Sequence, residues 1–163
     1  QHATRELEFL PVDLHLVLAD TFRLLTPQTK MYGVEVETRY GDNIPTIPGL
    51  GDRLKQVFIN IILNACQSMN KDEKRLLVTT SFSRDEEGLG SVAISFTDNG
   101  QGIRNEDQKR IFDPFFTRRE QGEGTGLGLA TSYGIIENHD GEFQVDSVWG
   151  KGSTFTIILP VSP

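Results

Sequence analysis

Four amide side chains, Gln56, Asn60, Asn64 and Gln67, recur at spacings of 4, 4 and 3 through an otherwise apolar segment. On a helix these spacings put all four on one face. A face that is merely solvated more often carries Lys and Glu, which are better helix formers than Asn. Amide oxygens are hard, neutral ligands suited to Mg²⁺, which keeps waters and takes its other oxygens from phosphates. A plain exposed face stays open as the alternative. A second candidate is Asp98 in Asp98-Asn99-Gly100-Gln101-Gly102. At the end of a central strand its carboxylate would point into a pocket at the sheet edge and accept from an exocyclic amine such as that of adenine. Asp-Asn-Gly is equally ordinary turn chemistry.

Gly122-Glu123-Gly124-Thr125-Gly126-Leu127-Gly128 runs into a helix-like stretch. Glycines there let amides approach an anion that the helix N-terminus favours, or they form a hinge. The cluster does not give the dinucleotide spacing G-x-G-x-x-G. Gly150-Lys151-Gly152-Ser153 is no P-loop either, because Val145 stands where its leading glycine belongs. Arg104, Lys109, Arg110, Arg118 and Arg119 crowd one segment, interleaved with Glu106, Asp107, Asp113 and Glu120. Self-pairing would occupy most of them, leaving Arg118 or Arg119 as the favoured phosphate contact.

The elements that must position these groups follow from periodicity. An apolar stripe of Leu14, Val17, Leu18, Thr21, Phe22 and Leu25 predicts a helix over 11–26, with Pro11 in its first turn and Pro27 at its end. Strict alternation over 34–40 predicts a half-buried strand, and a short strand fits near Thr46-Ile47. A second helix over 53–69, capped by Asp52, would bury Leu54, Val57, Phe58, Ile61, Ile62, Ala65 and Met69. Strands are predicted at Leu76–Phe82 and Val92–Thr97, then a short helix near Glu106–Ile111. A third long helix from about Gly126 would be capped by Gly141, and a hairpin of Phe143–Val148 and Thr154–Leu159 would follow. Gly100 to Gly124 is long for a connection in a compact domain and reads as a lid. The result is an α/β (α+β) two-layer sandwich, with a mixed, mostly antiparallel sheet and three main helices on one face.

Composition narrows the classes. The chain has 163 residues and a net charge of −7 from 16 basic and 23 acidic side chains, which argues against a general nucleic-acid binder. Cys66 is the sole cysteine, so no internal disulfide framework or cysteine zinc site can form, and its apolar neighbours predict a core position. The longest uncharged stretch, Gln56–Asn70, is too short and too rich in amides to span a bilayer. His2, His15 and His139 show no metal-like spacing and read as solvated or capping residues. The chain opens on Gln1 with neither a signal-peptide pattern nor an initiator methionine, and the missing methionine leads us to expect part of something longer.

Taken in order, the motifs resemble the catalytic, ATP-binding domain of bacterial sensor histidine kinases, within the superfamily that includes gyrase, Hsp90 and MutL (the GHKL superfamily, or Bergerat fold). Asn60-Ile61-Ile62-Leu63-Asn64-Ala65 resembles the N box, and Asp98-Asn99-Gly100-Gln101-Gly102-Ile103 the first glycine box. Ile111-Phe112-Asp113-Pro114-Phe115-Phe116 resembles the F box, and Gly124-Thr125-Gly126-Leu127-Gly128-Leu129-Ala130 the second glycine box. Gly150-Lys151-Gly152-Ser153-Thr154-Phe155 resembles the closing hairpin.

The resemblance implies a linker end over 1–7, the domain over 8–160 with a lid over about 103–125, and a tail over 161–163. It implies ATP and Mg²⁺ as cofactors. Asn64 would be the metal ligand with Asn60 beside it, and Asp98 the acceptor of the adenine amine. Gly100, Gly102 and Ile103 would lie along the base, and Phe112 on the pocket border as an anchor of the lid. Gly124, Thr125, Gly126, Leu127 and Gly128 would face the phosphates, with Arg118 and Arg119 as the lid's charges. The ATP-hydrolysing members carry Glu where Asn60 stands, and Asn cannot take a proton from water, so poor hydrolysis is expected. The implied function is a protein histidine kinase of a two-component system. Its partners would be a dimerisation and phosphoacceptor domain of the same protein and a response regulator, with no nucleic acid and no insertion of this domain into a membrane. Its place would be the cytoplasm, whether or not the parent is membrane-anchored. Readings from other classes are a non-catalytic nucleotide-sensing module and a stand-alone serine kinase of the anti-sigma-factor type.

Overall fold

The computed structural model describes residues 8–113 and 128–162. In chain order these form β1 (Leu10–Val12), α1 (Leu14–Tyr32), β2 (Val34–Tyr40), β3 (Ile47–Gly49), α2 (Gly51–Ser68), β4 (Lys74–Arg84) and β5 (Gly90–Asp98). A single 3₁₀ turn (Asn105–Asp107), α3 (Gly128–Asn138), β6 (Glu142–Val148) and β7 (Gly152–Pro160) complete them. The main sheet has the order β2-β4-β5-β7-β6; β2 and β4 are parallel, the other pairs antiparallel. β1 and β3 make a separate antiparallel ribbon. The predicted two-layer sandwich with three helices is therefore the observed one.

Alternation builds the core. Val92, Ile94 and Phe96 of β5 and Phe155, Ile157 and Leu159 of β7 are buried. Against them α2 buries Leu54, Val57, Phe58, Ile61, Ile62, Ala65 and Cys66, and Phe58 meets Phe96 with ring centroids 5.7 Å apart. α2 also packs against both α1 and α3. Of its polar stripe, Gln56 is exposed, whereas Asn60, Asn64 and Gln67 are half-buried. Cys66 is 1% exposed, and burial, then the charge of Asp98, push its thiol pKa up to about 11. That suits a core residue and not a nucleophile.

Several predicted boundaries move. α1 begins three residues later and ends six residues later than its prolines suggest. Pro11 belongs to β1, and the helix starts where Asp13 Oδ1 accepts from the backbone N–H groups of His15 and Leu16 at 3.0 and 3.3 Å. It runs through Pro27 because Leu25 and Thr29 continue the buried stripe. It stops at Gly33, whose φ of 73° supplies the left-handed cap. α2 starts after Leu50 with no side-chain cap, and Asp52 instead places its charge in the first turn. The helix expected at Glu106–Ile111 is the 3₁₀ turn over Asn105–Asp107. At the end of α3 the left-handed residue is Asp140 (φ 58°), not Gly141. Asp140 N–H bonds to Glu137 O and Gly141 N–H to Ile136 O, the two bonds of a Schellman ending. Gly141 is needed for a different reason: a Cβ there would lie 2.6 Å from Ile158 O.

Pro27 costs α1 one backbone bond and crowds the carbonyl four residues earlier. Pro27→Ala is expected to stabilise the chain by about 2 kcal/mol, after allowing for the looser unfolded chain. Urea unfolding with an unchanged midpoint would show that the helix already yields around the ring at no cost.

His139 lies 3% exposed behind these helices. Its Nδ1 faces Ile135 O at 2.8 Å and its Nε2 accepts the N–H of Leu50 at 3.0 Å, so the end of α3 is tied to the start of α2. Phe9 stacks on the ring at 4.7 Å. The capping role expected of it holds; solvation does not. His15 stacks on Tyr40 at 4.3 Å and reaches Thr80 Oγ1 at 2.8 Å.

Candidate functional site

Asp98 ends β5 and is 6% exposed. Its Oδ1 accepts the N–H of Gly100 at 2.8 Å. Burial raises its pKa above the usual carboxylate range, opposed by the backbone N–H groups of Gly100 and Ser153 and by the charge of Lys71. Asn99 points to other work: Oδ1 accepts from Arg75 N and Nδ2 donates to Glu73 O, which prolongs the β4–β5 pairing. Within the predicted motif, then, Asn99 is structural and Asp98 is the buried acid.

The following loop is clamped on both sides. Gln101 N–H bonds to Ser68 O at the end of α2, and Gln101 O accepts from Gly150 in the β6–β7 turn. A Cβ on Gly100 would stand 2.6 Å from Ser68 Oγ, and one on Gly102 (φ 78°) 2.2 Å from Val148 O. Close approach by protein is thus enough to demand both glycines. Ile103 packs partly buried against the core, and its N–H donates to Ser147 Oγ at 2.8 Å. Phe112 lies against Tyr133 at 5.0 Å and Phe143 at 4.9 Å, joining the segment after the 3₁₀ turn to α3 and β6.

On α2, Asn60 and, one turn on, Asn64 are both half-buried. Asn60 Nδ2 donates to Gly128 O and to Ser132 Oγ, each at 3.1 Å, while its Oδ1 accepts from Gln56 Nε2 at 3.1 Å. The structure thus brings Asn60 of the predicted amide face against the first turn of α3, at Gly128. Arg118, Arg119, Gly124, Thr125, Gly126 and Leu127 lie outside the described residues, as do Phe115 and Phe116.

Sequence reasoning missed Ser132 and Lys71, and named Gly152 only as part of the closing hairpin. Ser132, 0% exposed, sits one turn after Gly128, a spacing that marks the same face of α3. Gly152 has φ 141°, and a Cβ there would fall 2.2 Å from Asp98 O. Lys71 Nζ reaches Lys151 O at 3.4 Å beside Asp98.

Among the described residues no cluster of three or more His, Cys, Asp or Glu is arranged to hold a metal. The oxygen donors facing the site from α2 are neutral amides. That set fits Mg²⁺ held jointly with phosphates and water, and does not make a cage for a tightly held ion. A cavity of about 500 Å³ bordered by Glu35, Glu37, Arg75, Thr97, Asp98 and Asn99 sets three carboxylates against one guanidinium, the wrong sign for a polyphosphate. No described helix is long and apolar enough to cross a membrane.

Comparison with known proteins agrees with this layout. Residues 49–163 match the family model described as histidine kinase-, DNA gyrase B-, and HSP90-like ATPase. The chain is 39% identical over 151 residues to the sensor histidine kinase ZraS of Escherichia coli K12, covering 93% of this chain and 31% of that protein. It therefore spans about a third of that relative. The catalytic domain of histidine kinase ThkA superposes with a TM-score of 0.81 at 25% identity, over 96% of this chain and 98% of the other. Full-length ShkA in complex with AMPPNP superposes with a TM-score of 0.78 at 29% identity, over 95% of this chain and 31% of ShkA.

Proposed function

Because the chain belongs to the histidine kinase-, DNA gyrase B- and HSP90-like ATPase family, we propose that it is the ATP-binding catalytic domain of a two-component sensor histidine kinase. It holds Mg-ATP and presents the γ-phosphoryl group to a histidine on a separate helical domain of the same protein, upstream of a response regulator. One observation carries this reading: the Asn60 amide is fastened to Gly128 at the start of α3, so the amide face and the glycine-led helix border one space. The likeness to ZraS, named a sensor histidine kinase, and to ShkA with its bound ATP analogue supports it.

In this reading Asp98 accepts the adenine amine through a carboxylate already held in place by Gly100 and Ser153. Asn64, with Asn60 beside it, would hold the magnesium ion, whose chemistry is to neutralise phosphate charge. Gly124, Thr125, Gly126, Leu127 and Gly128 line the phosphates, and Arg118 or Arg119 reaches the γ-phosphate. Phosphoryl transfer depends mainly on alignment and charge neutralisation, which is what such residues supply. Asn60 offers no base for water, consistent with a domain that passes its phosphoryl group to another nucleophile. The site works in the cytoplasm.

The test uses γ-labelled ATP. The chain alone should bind ATP in preference to GTP and retain no acid-labile label. Adding the parent protein's phosphoacceptor helices should produce acid-labile, base-stable phosphate on them. Equal affinity for ATP and GTP would overturn the role of Asp98. Binding without transfer would favour a nucleotide-sensing module, and acid-stable phosphoserine on a partner would favour the anti-sigma type.

A further inference from the structure

A primary amide has two N–H hydrogens and one oxygen with two lone pairs. At Asn60 both hydrogens are used inside the protein, by Gly128 O and Ser132 Oγ, and one lone pair of Oδ1 is taken by Gln56. Gly128 O can only accept, so it decides which end of the amide faces α3: the nitrogen must. Ser132 is fully buried and has no water to turn to, and its hydroxyl accepts the second hydrogen. What is left facing the site is half of one oxygen.

We propose that Ser132 is a positioning residue which, together with the Gly128 carbonyl, locks the Asn60 amide with its oxygen outward. Asn60 then meets the nucleotide only as an acceptor, toward the metal ion or a water on it. It cannot donate to a phosphate oxygen without breaking a bond to α3. The metal-dependent half of this inference rests on the Mg-ATP reading above; the locked amide does not.

The amide itself is the first readout. In ¹⁵N–¹H spectra of the unliganded chain, the two Asn60 side-chain protons should be distinct and both should exchange slowly with water, unlike those of exposed Asn70. Ser132→Ala should expose one of them to fast exchange. The second readout is the ratio of ATP affinities with and without Mg²⁺. Ser132→Ala should lower that ratio between about twofold and tenfold, the loss expected for one neutral hydrogen bond, and leave the Mg²⁺-free affinity within about twofold. Ser132→Cys, of similar size with a weaker acceptor, should fall between; it serves as the second variant if the alanine form does not fold. Asn60 protons that exchange as fast as those of Asn70 would overturn the lock. An unchanged Mg²⁺ ratio in a variant whose amide has been freed would overturn its link to the metal. A chain with slow Asn60 protons that binds no ATP would instead overturn the reading of the site.

Discussion

Asp98→Asn should lower ATP affinity by about tenfold to a hundredfold and remove most of the preference for ATP over GTP, the loss expected for one charge-assisted hydrogen bond. Asn has the same shape, but it turns one acceptor toward the base into a donor that opposes the adenine amine. The charge matters as much as the shape. Burial holds the carboxyl above its ordinary range even though two backbone N–H groups and Lys71 favour the ionised form. Between the ordinary and the raised value the native state binds more protons than the unfolded chain. Stability therefore falls as pH rises through that interval and is regained as pH drops. Nucleotide binding needs the ionised acceptor and should move the other way, weakening as pH drops. Paired titrations of urea unfolding and ATP affinity should show these opposite slopes in the unaltered chain, and Asp98→Asn should lack both. Slopes that survive the substitution would assign them to other carboxylates.

Gly102→Ala and Gly152→Ala should each cost about 3 kcal/mol or more in urea unfolding. Both positions have positive φ, and in both the added methyl would meet a backbone oxygen at 2.2 Å: Val148 O for Gly102, Asp98 O for Gly152. A side chain in the way can rotate, but a carbonyl in a paired strand cannot. Gly152→Ala should also weaken ATP binding beyond its effect on folding, because the oxygen it strikes belongs to Asp98. Gly134→Ala is the control. That residue lies exposed within α3 with open space where the Cβ would go, and alanine there should stabilise by about 0.5–1 kcal/mol. If all three variants melt alike, the close approaches at Gly102 and Gly152 are softer than their geometry says.

The second helix and the four long strands after β3 were legible because each has one dry face, which imposes a period the sequence must obey. The first helix departs from its sequence signals at both ends for a common reason. Pro11 and Pro27 read locally as punctuation, yet Pro11 suits an edge ribbon that needs no N–H there, and the packing of Leu25 and Thr29 outweighs the bond that Pro27 removes. β1 is three residues long and its partner β3 is distant in sequence, so no local pattern marks it. Within the candidate site, residue type and spacing single out Asp98 and the α2 amides. They do not single out the ties that orient them, because Ser132 and Gly152 matter only through the register of α3 and β7 against their neighbours. The glycines of the first box show the limit of a motif: Gly100 and Gly102 are demanded by Ser68 and Val148 before any ligand is considered.

The pairing of Asp98 with Ser153 across β5 and β7 has a kinetic side. β5 is the central strand of the sheet and β7 its neighbour, yet the polypeptide between them holds the 3₁₀ turn, the third helix and an edge strand. Zipping them shut closes a long loop, a slow and entropically costly step. The same closure carries Gly128 toward Asn60 and seats Gly152 on Asp98. A refolding molecule should therefore gain its central sheet and its competence for ligand in a single late event, with no half-built pocket accumulating beforehand.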